Sequence, residues 1–237
     1  MADTPVLIVA LDLPSLADAK ALVQRLRPIT PWFKIGSMLF TSVGPDAVRM
    51  VHEAGGQVFL DLKFHDIPQT IAGGVAAAAE LGVALVTVHC AAGPAALAAA
   101  VAARSPGSSL KLLGVTRLTS EAGRVGASVV RAALAARDAG LDGVTASVRE
   151  CPRIKGACGT DFRVLTPGIR PAGAVADDQA RVAMPRQAVR AGADYLVVGR
   201  PIVAAPDPAA AAQAVWDEIT SAARRRRSAA QAAARSG

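Results

Sequence analysis

The sequence predicts a single-domain (β/α)8 barrel, the TIM-barrel fold, because eight short apolar runs alternate with amphipathic helical stretches along 237 residues. Barrels of this class often reach such a length as one domain. Several of the runs lack strict alternation of apolar and polar residues, which is typical of strands buried on both faces of a parallel sheet. An open doubly wound sheet is the alternative, but no G-x-G-x-x-G sequence follows the first run.

Each predicted strand is a short run rich in β-branched, leucine or aromatic residues. Helix signals lie between these runs: Ser15 with Asp18 is typical of a capping box, and Pro45 opens a helical pattern that ends in glycines. The eight runs are VLIVALD (6–12), WFKIG (32–36), QVFLDLK (57–63), ALVTVH (84–89), KLLGVT (111–116), GVTAS (143–147), RVLTPG (163–168) and YLVVG (195–199).

The distribution of charge sets the C-terminal end of the chain apart. The formal net charge is +7, but Arg224 to Arg227 and Arg235 supply five positive charges in a stretch without acids, which leaves +2 for residues 1–223. The RRRR run could be a nucleic-acid patch, or simply a solvated extension. We expect the second: a barrel domain over 1–223, a basic and flexible tail over 224–237, and no nucleic-acid partner.

Cysteine usage and the apolar segments indicate a cytoplasmic protein that does not bind membranes. Cys90, Cys151 and Cys158 are an odd number without a C-x-x-C pair, which argues against a disulfide framework or structural zinc. The N-terminal sequence MADTPVLIVALD lacks the features of a signal peptide. The best membrane candidate, residues 71–90, is interrupted by Glu80 and divides into a predicted helix and strand.

Polar residues cluster where the predicted strands end. The carboxyl ends of all the strands in a parallel barrel meet at one face, and barrel enzymes place their active sites there. We therefore expect these side chains to form a site. They are Asp12, Lys34, Asp61, Lys63, Asp66, Thr119, Arg170 and Arg200.

The third strand end carries the densest charge, in the sequence LDLKFHDIPQT. Asp61 and Lys63 are two positions apart and therefore share one side of a strand. The simplest interpretation is that they form a partly buried ion pair and have no further role. Asp66 would then lack a cation. The two aspartates could also hold Mg²⁺, although no wider metal constellation is present in the sequence. His65 faces the other side by the same alternation, and we interpret it as structural.

The loops after the last two strands predict a phosphate site. TPGIRP and VVGRPI each contain a glycine that permits close backbone approach, and an arginine that can form paired hydrogen bonds with phosphate oxygens. Two surface arginines beside structural glycines are the simpler alternative. The residues alone thus indicate a barrel enzyme for a phosphorylated small molecule, with lysines as the natural proton donors.

The segment over 151–185 fits the strand–helix alternation least well. The run GIRPAGAVADDQARVAMP within it is rich in Gly, Ala, Pro and Asp. Long loops of this kind are usually functional lids or disordered. We expect a lid on the catalytic face.

The sequence resembles the orotidine 5′-phosphate decarboxylase family. DLKFHDIPQT is similar to the family signature D-x-K-x-x-D-I-P-x-T, and ALDLPS, FKIG, TRLTS, TPGIRP, DDQARV and DYLVVGRPI follow in the family's order. Only the tail after about residue 223 is not covered. The resemblance implies conversion of orotidine 5′-monophosphate to uridine 5′-monophosphate and CO₂ in pyrimidine biosynthesis, without a metal or an organic cofactor.

The resemblance also implies roles for the residues that match the family's catalytic array. Lys63 is the proton donor to C6 of the pyrimidine, and Asp61 lies near the departing carboxylate. Asp66 and Thr70 enter the array from the neighbouring subunit, since the family works as a homodimer with shared active sites. Lys34 belongs to the same charge network.

The remaining matches imply contacts with the rest of the substrate. Asp12 and Lys34 hold the ribose hydroxyls, and Thr119 meets the pyrimidine. Four residues match the positions that bind the phosphate, and one of them, Gln179, lies on the lid. They are Arg170, Gln179, Gly199 and Arg200.

Two alternatives stay open. Related enzymes such as 3-keto-L-gulonate-6-phosphate decarboxylase and hexulose-6-phosphate synthase share D-x-K-x-x-D but use Mg²⁺ and a glutamate near the second strand, where this chain has Lys34. A non-catalytic nucleotide- or nucleic-acid-binding protein could use the basic tail, but it leaves the Asp61, Lys63 and Asp66 array unexplained. After the sixth strand the chain also has Thr145 and Ala146, where bacterial members of the family often have a Val-Cys pair.

Overall fold

The computed structural model describes residues 4–105, 107–117, 126–171 and 182–235 and shows a closed barrel. Eight parallel strands pair in chain order, and the last pairs with the first, which confirms the (β/α)8 prediction. The strands are Val6–Ala10 (β1), Trp32–Gly36 (β2), Gln57–Phe64 (β3), Leu85–His89 (β4), Lys111–Val115 (β5), Gly143–Thr145 (β6), Arg163–Thr166 (β7) and Tyr195–Val198 (β8).

Helices connect the strands on the outside of the barrel. Ser15 caps the first of them as predicted, because its side chain accepts a hydrogen bond from the backbone N–H of Asp18 at 3.3 Å. The described helices are Leu16–Leu26 (α1), Ser37–Val43 (α2), Asp46–Glu53 (α3), Pro68–Glu80 (α4), Pro94–Ala102 (α5), Gly126–Asp138 (α6), Cys151–Cys158 (α7), Pro185–Ala191 (α8), Arg200–Val203 (α9) and Pro208–Arg235 (α10).

The barrel interior is a small apolar cluster that lies directly below the polar strand ends. Alternate residues of a strand point to the same side, so each strand contributes an inward column. On β1 the column places Ile8 and Ala10 in the interior cluster, with Asp12 next in the same alternation. On β3 it contains Phe59, with Asp61 next. The charged residues therefore lie where the apolar columns end.

A larger apolar core lies between the strands and the helices. The outward-facing residues of the strands, such as Leu7 and Val9 on β1, are fully buried against the apolar faces of the helices. This double burial explains why the strands read as nearly continuous apolar runs. It also fixes the strand ends firmly, so that side chains on them are held in place.

The C-terminal stretch differs from the separate tail that the charge distribution suggested. Helix α10 continues through residue 223 to Arg235 without a break. Arg226 donates to the backbone oxygen of Val189 at 2.8 Å, and Arg227 donates to the hydroxyl of Thr4 at 3.2 Å. The high helix propensity of its alanines and arginines accounts for the continuation. The division of the chain into domains at 223 stays a prediction.

The length and composition of the helices bear on whether the chain could cross a membrane. Within the described ranges, none of them combines the length and the apolar composition that crossing a bilayer would require.

Candidate active site

A cavity of about 320 Å³ opens at the carboxyl ends of the strands. Its floor is formed by the apolar ends of the inward columns, including Ala10 and Phe59. The cavity brings together seven of the residues that the sequence predicted for the site. They are Asp12, Lys34, Asp61, Lys63, Arg170, Gly199 and Arg200.

The first charged pair links β2 to the end of β1. Lys34 Nζ donates to Asp12 Oδ1 at 2.8 Å. The lysine is nearly buried, with 11% of its side chain exposed, whereas 50% of the Asp12 side chain is exposed. The β1–β2 register pairs Ala10 with Lys34, which places the small alanine beneath this ion pair. An ammonium group is thus held at a fixed position in the cavity wall.

Gly36 leaves the space that this pair occupies. A Cβ atom at residue 36 would lie 2.8 Å from Lys34 Nζ and 3.2 Å from Asp12 Oδ1. Contacts below 3.0 Å are not tolerated, so any larger residue would displace the ammonium group. The strand register also pairs Gly36 with Asp61, so the glycine lies between the two charged clusters.

The second charged pair lies on β3. Lys63 Nζ donates to Asp61 Oδ2 at 2.8 Å, and the Asp61 side chain is 13% exposed. The other oxygen, Oδ1, accepts a hydrogen bond from the hydroxyl of Thr87 at 3.0 Å. Asp61 therefore has both carboxylate oxygens engaged, while Lys63, at 39% exposure, reaches further into the cavity.

The backbone of β3 is irregular at this point. The β3–β4 pairing is regular to Leu60 and resumes at Phe64, with a register shift between them. Lys63 has φ +52°, and it is the one non-glycine residue with positive φ in the described part of the chain. Bulges and strained residues of this kind often re-aim side chains at functional sites. Here the irregular segment contains both Asp61 and Lys63, which line the same cavity.

The opposite wall of the cavity contains the two loops predicted to bind phosphate. Gly168 has φ +73°, a left-handed conformation that glycine adopts readily. The base of the β7–α8 loop is held closed, because the backbone N–H of Arg170 donates to Ala183 O at 2.9 Å and that of Ala183 donates to Gly168 O at 3.2 Å. At the other loop, a Cβ atom at residue 199 would lie 3.5 Å from Ala10 Cβ and 3.8 Å from Asp12 Oδ2, so the backbone of Gly199 lies close to the Asp12 side of the cavity.

Two predicted site residues, Asp66 and Thr70, are not among the described residues that line the cavity. Asp66 and Thr70 are exposed at the end of β3 and on α4, and Asp66 forms no ion pair within the described residues. Its carboxylate accepts a hydrogen bond from the backbone N–H of Ile67 at 2.6 Å. Thr119 and Gln179 lie outside the described residues, as does most of the expected lid.

Two threonines belong to the site and were not among the predicted residues. Thr87 is fully buried behind Asp61. Thr145 lines the cavity, and its hydroxyl is buried without a hydrogen-bond partner in the described structure. The one signal in the sequence for Thr145 was that it departs from the residue frequent at this position in bacterial members of the family. Thr87 was indicated only by its inward position on the fourth strand. That signal is weak, because apolar strands contain many threonines.

Two of the three cysteine thiols are not suited to nucleophilic chemistry. Burial raises the pKa of Cys90 to about 12, and burial together with nearby acidic groups raises that of Cys151 to about 12. Both thiols are therefore protonated at neutral pH. Among the described residues, no three His, Cys, Asp or Glu side chains are grouped so as to hold a metal ion.

Comparison with known proteins agrees with this geometry. Residues 5–215 match the model of the Orotidine 5′-phosphate decarboxylase / HUMPS family. The chain belongs to this family. A curated family relative, the orotidine 5′-phosphate decarboxylase of Moorella thermoacetica, is 52% identical, with 90% of this chain and 91% of that protein covered. That of Geobacter sulfurreducens is 48% identical, with 90% and 95% covered.

Solved structures of the family have the same fold. The crystal structure of orotidine 5′-phosphate decarboxylase from Lactobacillus acidophilus matches with a TM-score of 0.79 and 36% identity over 92% of this chain and 99% of that one. The enzyme from Pyrococcus horikoshii OT3 matches with a TM-score of 0.76 and 26% identity over 91% and 99%. The family fold therefore extends over nearly the whole chain.

Proposed function

We propose that this enzyme decarboxylates orotidine 5′-monophosphate to uridine 5′-monophosphate and CO₂, in the synthesis of pyrimidine nucleotides. The observation that carries the proposal is the cavity that places Lys63 and Asp61 opposite Arg170 and Arg200. A nucleoside monophosphate has its base at one end and its phosphate at the other, as this arrangement requires. The similarity to decarboxylases with this substrate in their names supports the assignment.

The reaction leaves a carbanion at C6 of the pyrimidine when the carboxylate departs. That electron pair lies in the plane of the ring, so the π system cannot delocalise it. The ammonium of Lys63 would stabilise the negative charge as it develops, and would then transfer a proton to C6. The short contact with Asp61 keeps Lys63 at one position, so that no reorganisation is needed during the step.

Asp61 adds a second electrostatic effect. In the proposed complex its carboxylate lies near the carboxylate of the substrate, and their repulsion disappears when CO₂ leaves. Two unit charges 4 Å apart interact by about 1 kcal/mol in water and about 4 kcal/mol at an effective dielectric constant of 20. Stabilisation of the carbanion by Lys63 is the larger contribution, because transition-state electrostatics usually dominate catalysis.

The remaining side chains would bind the ribose and the phosphate. Asp12 and Lys34 lie side by side, joined by a hydrogen bond, and would hold the ribose hydroxyls. Arg170 and Arg200 would bind the phosphate, with Gly199 allowing close approach and Gln179 contributing from the lid. The phosphate is remote from C6, so its binding energy can drive closure over the ring and thereby raise kcat.

The active enzyme in this proposal is a homodimer. Asp66 and Thr70 are exposed and lie away from the cavity of their own subunit, as expected for residues that complete a neighbouring site. Ile67, between them, has 64% of its surface exposed, which is unusual for a large apolar residue and is typical of an interface. We also place the enzyme in the cytoplasm, with no nucleic-acid or membrane partner.

The matched family also includes the HUMPS enzymes, so a second activity has to be considered. Related enzymes that act on sugar phosphates use Mg²⁺ held by acidic side chains, including a glutamate near the second strand. In this chain that strand carries Lys34, whose ammonium lies in the cavity wall and would repel a divalent cation. This residue favours the decarboxylation of orotidine 5′-monophosphate.

The deciding experiment follows the loss of orotidine 5′-monophosphate absorbance after the purified enzyme is added, with and without EDTA. We expect rapid turnover in both conditions, and no activity on hexulose 6-phosphate or 3-keto-L-gulonate 6-phosphate with Mg²⁺. Absence of turnover, or turnover abolished by EDTA, would disprove the assignment. Sedimentation of the active enzyme tests the dimer, and a monomer with full activity would exclude shared sites.

A further inference from the structure

We propose that Thr87 is a positioning residue, whose hydroxyl holds Asp61 and Lys63 in the geometry needed for reaction. The inference rests on the proposed function, because it assigns a role within the same site. Thr87 lies on β4, faces the barrel interior two residues after Leu85, and is fully buried. It is not among the described residues that line the cavity, so it acts from behind the charged pair.

The first part of the argument concerns the backbone of Lys63. In a regular ladder its N–H would donate to a main-chain oxygen of the neighbouring strand. The register shift between Leu60 and Phe64 interrupts that ladder, and the N–H instead donates to Thr87 Oγ1 at 2.9 Å. Lys63 also has φ +52°, a strained conformation for a residue with a Cβ. The threonine hydroxyl therefore replaces a ladder bond where the backbone is least regular.

The second part concerns the Asp61 carboxylate. Thr87 donates its hydroxyl hydrogen to Oδ1 at 3.0 Å, while Lys63 Nζ donates to Oδ2 at 2.8 Å. Two donors at opposite oxygens fix the rotation of the carboxylate. Without the hydroxyl, one oxygen would lose its partner and the carboxylate could turn, and the ammonium bonded to it would move as well.

One side chain thus contacts both members of the pair. It accepts from the backbone of Lys63 and donates to the side chain of Asp61, which uses the two hydrogen-bonding functions of a hydroxyl. Valine has the same shape but neither function, and serine keeps both. This difference makes the proposal testable by substitution at one buried position.

The experiment compares Thr87→Val with Thr87→Ser in the full-length enzyme. For Thr87→Val we expect kcat to fall roughly ten- to a hundred-fold, as for loss of a hydrogen bond to a charged group. KM, and the affinity for uridine 5′-monophosphate measured by calorimetry, should stay within about three-fold, because the ribose and phosphate contacts are intact. Thr87→Ser should restore kcat to within about three-fold of the parent enzyme, since serine supplies the same hydroxyl.

Thr30→Val is the matched control. Thr30 is also buried, donates to the backbone oxygen of Leu7 at 2.6 Å and accepts from the N–H of Trp32 at 3.2 Å, but it precedes β2 at the opposite end of the barrel. It should lose stability without losing kcat. Thr87→Ala supplies a second variant if the valine enzyme does not fold, and the same loss of kcat is expected.

Several results would overturn the proposal. They are a normal kcat for Thr87→Val or Thr87→Ala, a serine variant as slow as valine, or an equal loss of kcat in Thr30→Val. If the parent enzyme did not decarboxylate orotidine 5′-monophosphate at all, the proposed function would fail and this inference with it. An active parent enzyme with an unaffected Thr87→Val variant would reject the inference alone.

Discussion

The two ends of the barrel both carry partly buried ion pairs, but the pairs are connected differently. At the amino-terminal ends of the strands, Asp194 accepts hydrogen bonds from Lys155 at 2.7 Å and Arg163 at 3.1 Å, and also from the backbone N–H of Val164 at 2.7 Å. Lys155 in turn donates to the backbone oxygens of residues 160 and 162. These charges link the main chains of neighbouring elements.

The same arrangement occurs a second time at this end. Asp142, which precedes β6 as Asp194 precedes β8, accepts from Arg104 at 2.6 Å and from the backbone N–H of Leu112 at 2.8 Å. Both aspartates follow an alanine–glycine pair by one residue in the sequence, in AGLD and AGAD. The recurrence indicates a structural device that fixes where a strand starts.

At the carboxyl-terminal ends the charges instead border a cavity. Lys34 and Lys63 donate to the carboxylates of Asp12 and Asp61, and all four side chains line the space where a substrate would lie. The contrast shows how a structural ion pair differs from one in a candidate active site. The first also bonds to the main chain of neighbouring elements, and the second borders a cavity. The following predictions, from the largest expected effect to the smallest, test this contrast.

Lys63→Ala should cause the largest loss of activity. We expect kcat to fall by roughly 10³-fold or more, because both proton transfer and carbanion stabilisation are removed. Binding of uridine 5′-monophosphate should change by less than about ten-fold, since other residues contact the ribose and phosphate. Steady-state kinetics and calorimetry measure the two effects. Lys111→Ala, an exposed lysine at the other end of the barrel, is the control, and a near-normal kcat for Lys63→Ala would exclude the proton-donor role.

Asp194→Ala should produce the reverse pattern. Removing this carboxylate takes one hydrogen-bond acceptor from each of Lys155 and Arg163 and also the side-chain acceptor of the Val164 backbone N–H, so the free energy of unfolding should fall by about 3 kcal/mol. The kcat of the folded variant should stay within about two-fold. Urea denaturation measures the stability. Asp138→Ala, which breaks an exposed ion pair with Arg137, should leave the free energy of unfolding nearly unchanged. Equal losses in the two variants would contradict the structural assignment.

Gly36→Ala should reduce activity without a comparable loss of stability. The added methyl group would push away the Lys34 ammonium, the flexible end of a side chain, while the backbone of β2 can stay in place. We expect kcat/KM to fall about ten-fold, as for a misplaced binding group. Gly73→Ala on α4 is the control, because a Cβ there meets no atom within 4 Å. Full activity of Gly36→Ala would show that the position of Lys34 is not critical.

Truncation after Ala223 should have the smallest effect. It removes the hydrogen bonds of Arg226 and Arg227 to the barrel, and we expect Tm to fall by about 2–4 °C with kcat unchanged within about two-fold. Differential scanning calorimetry measures the shift. A full-length variant with Arg224→Ala and Arg225→Ala, both exposed positions, should keep its Tm. A large loss of activity on truncation would mean that this helical extension serves the site.

Much of the site was predictable because barrel topology turns sequence order into spatial position. Once eight strands alternate with helices, every strand end lies at one face, and Asp12, Lys34, Asp61, Lys63 and the two phosphate loops must meet there. The strand runs were identified with boundaries within a few residues, since burial on both faces gives continuous apolar runs. The roles proposed for these residues came from the family resemblance.

Other features depended on contacts between residues far apart in the chain. The link between Thr87 and the Asp61–Lys63 pair requires the register shift of β3 against β4, and no local pattern encodes it. The role of Gly36 depends on where the Lys34 side chain lies. The helical continuation of the arginine run rests partly on hydrogen bonds to Thr4 and Val189.

The sequence by itself thus determined the fold, the face that carries the site and the residues that reach it, because alternation and strand order are local properties of the chain. Only the tertiary structure decided which charges face a cavity and which are bonded to the main chain. That distinction depends on the partners that folding brings within hydrogen-bond distance, and for Asp61 the decisive partner lies 26 residues away on another strand.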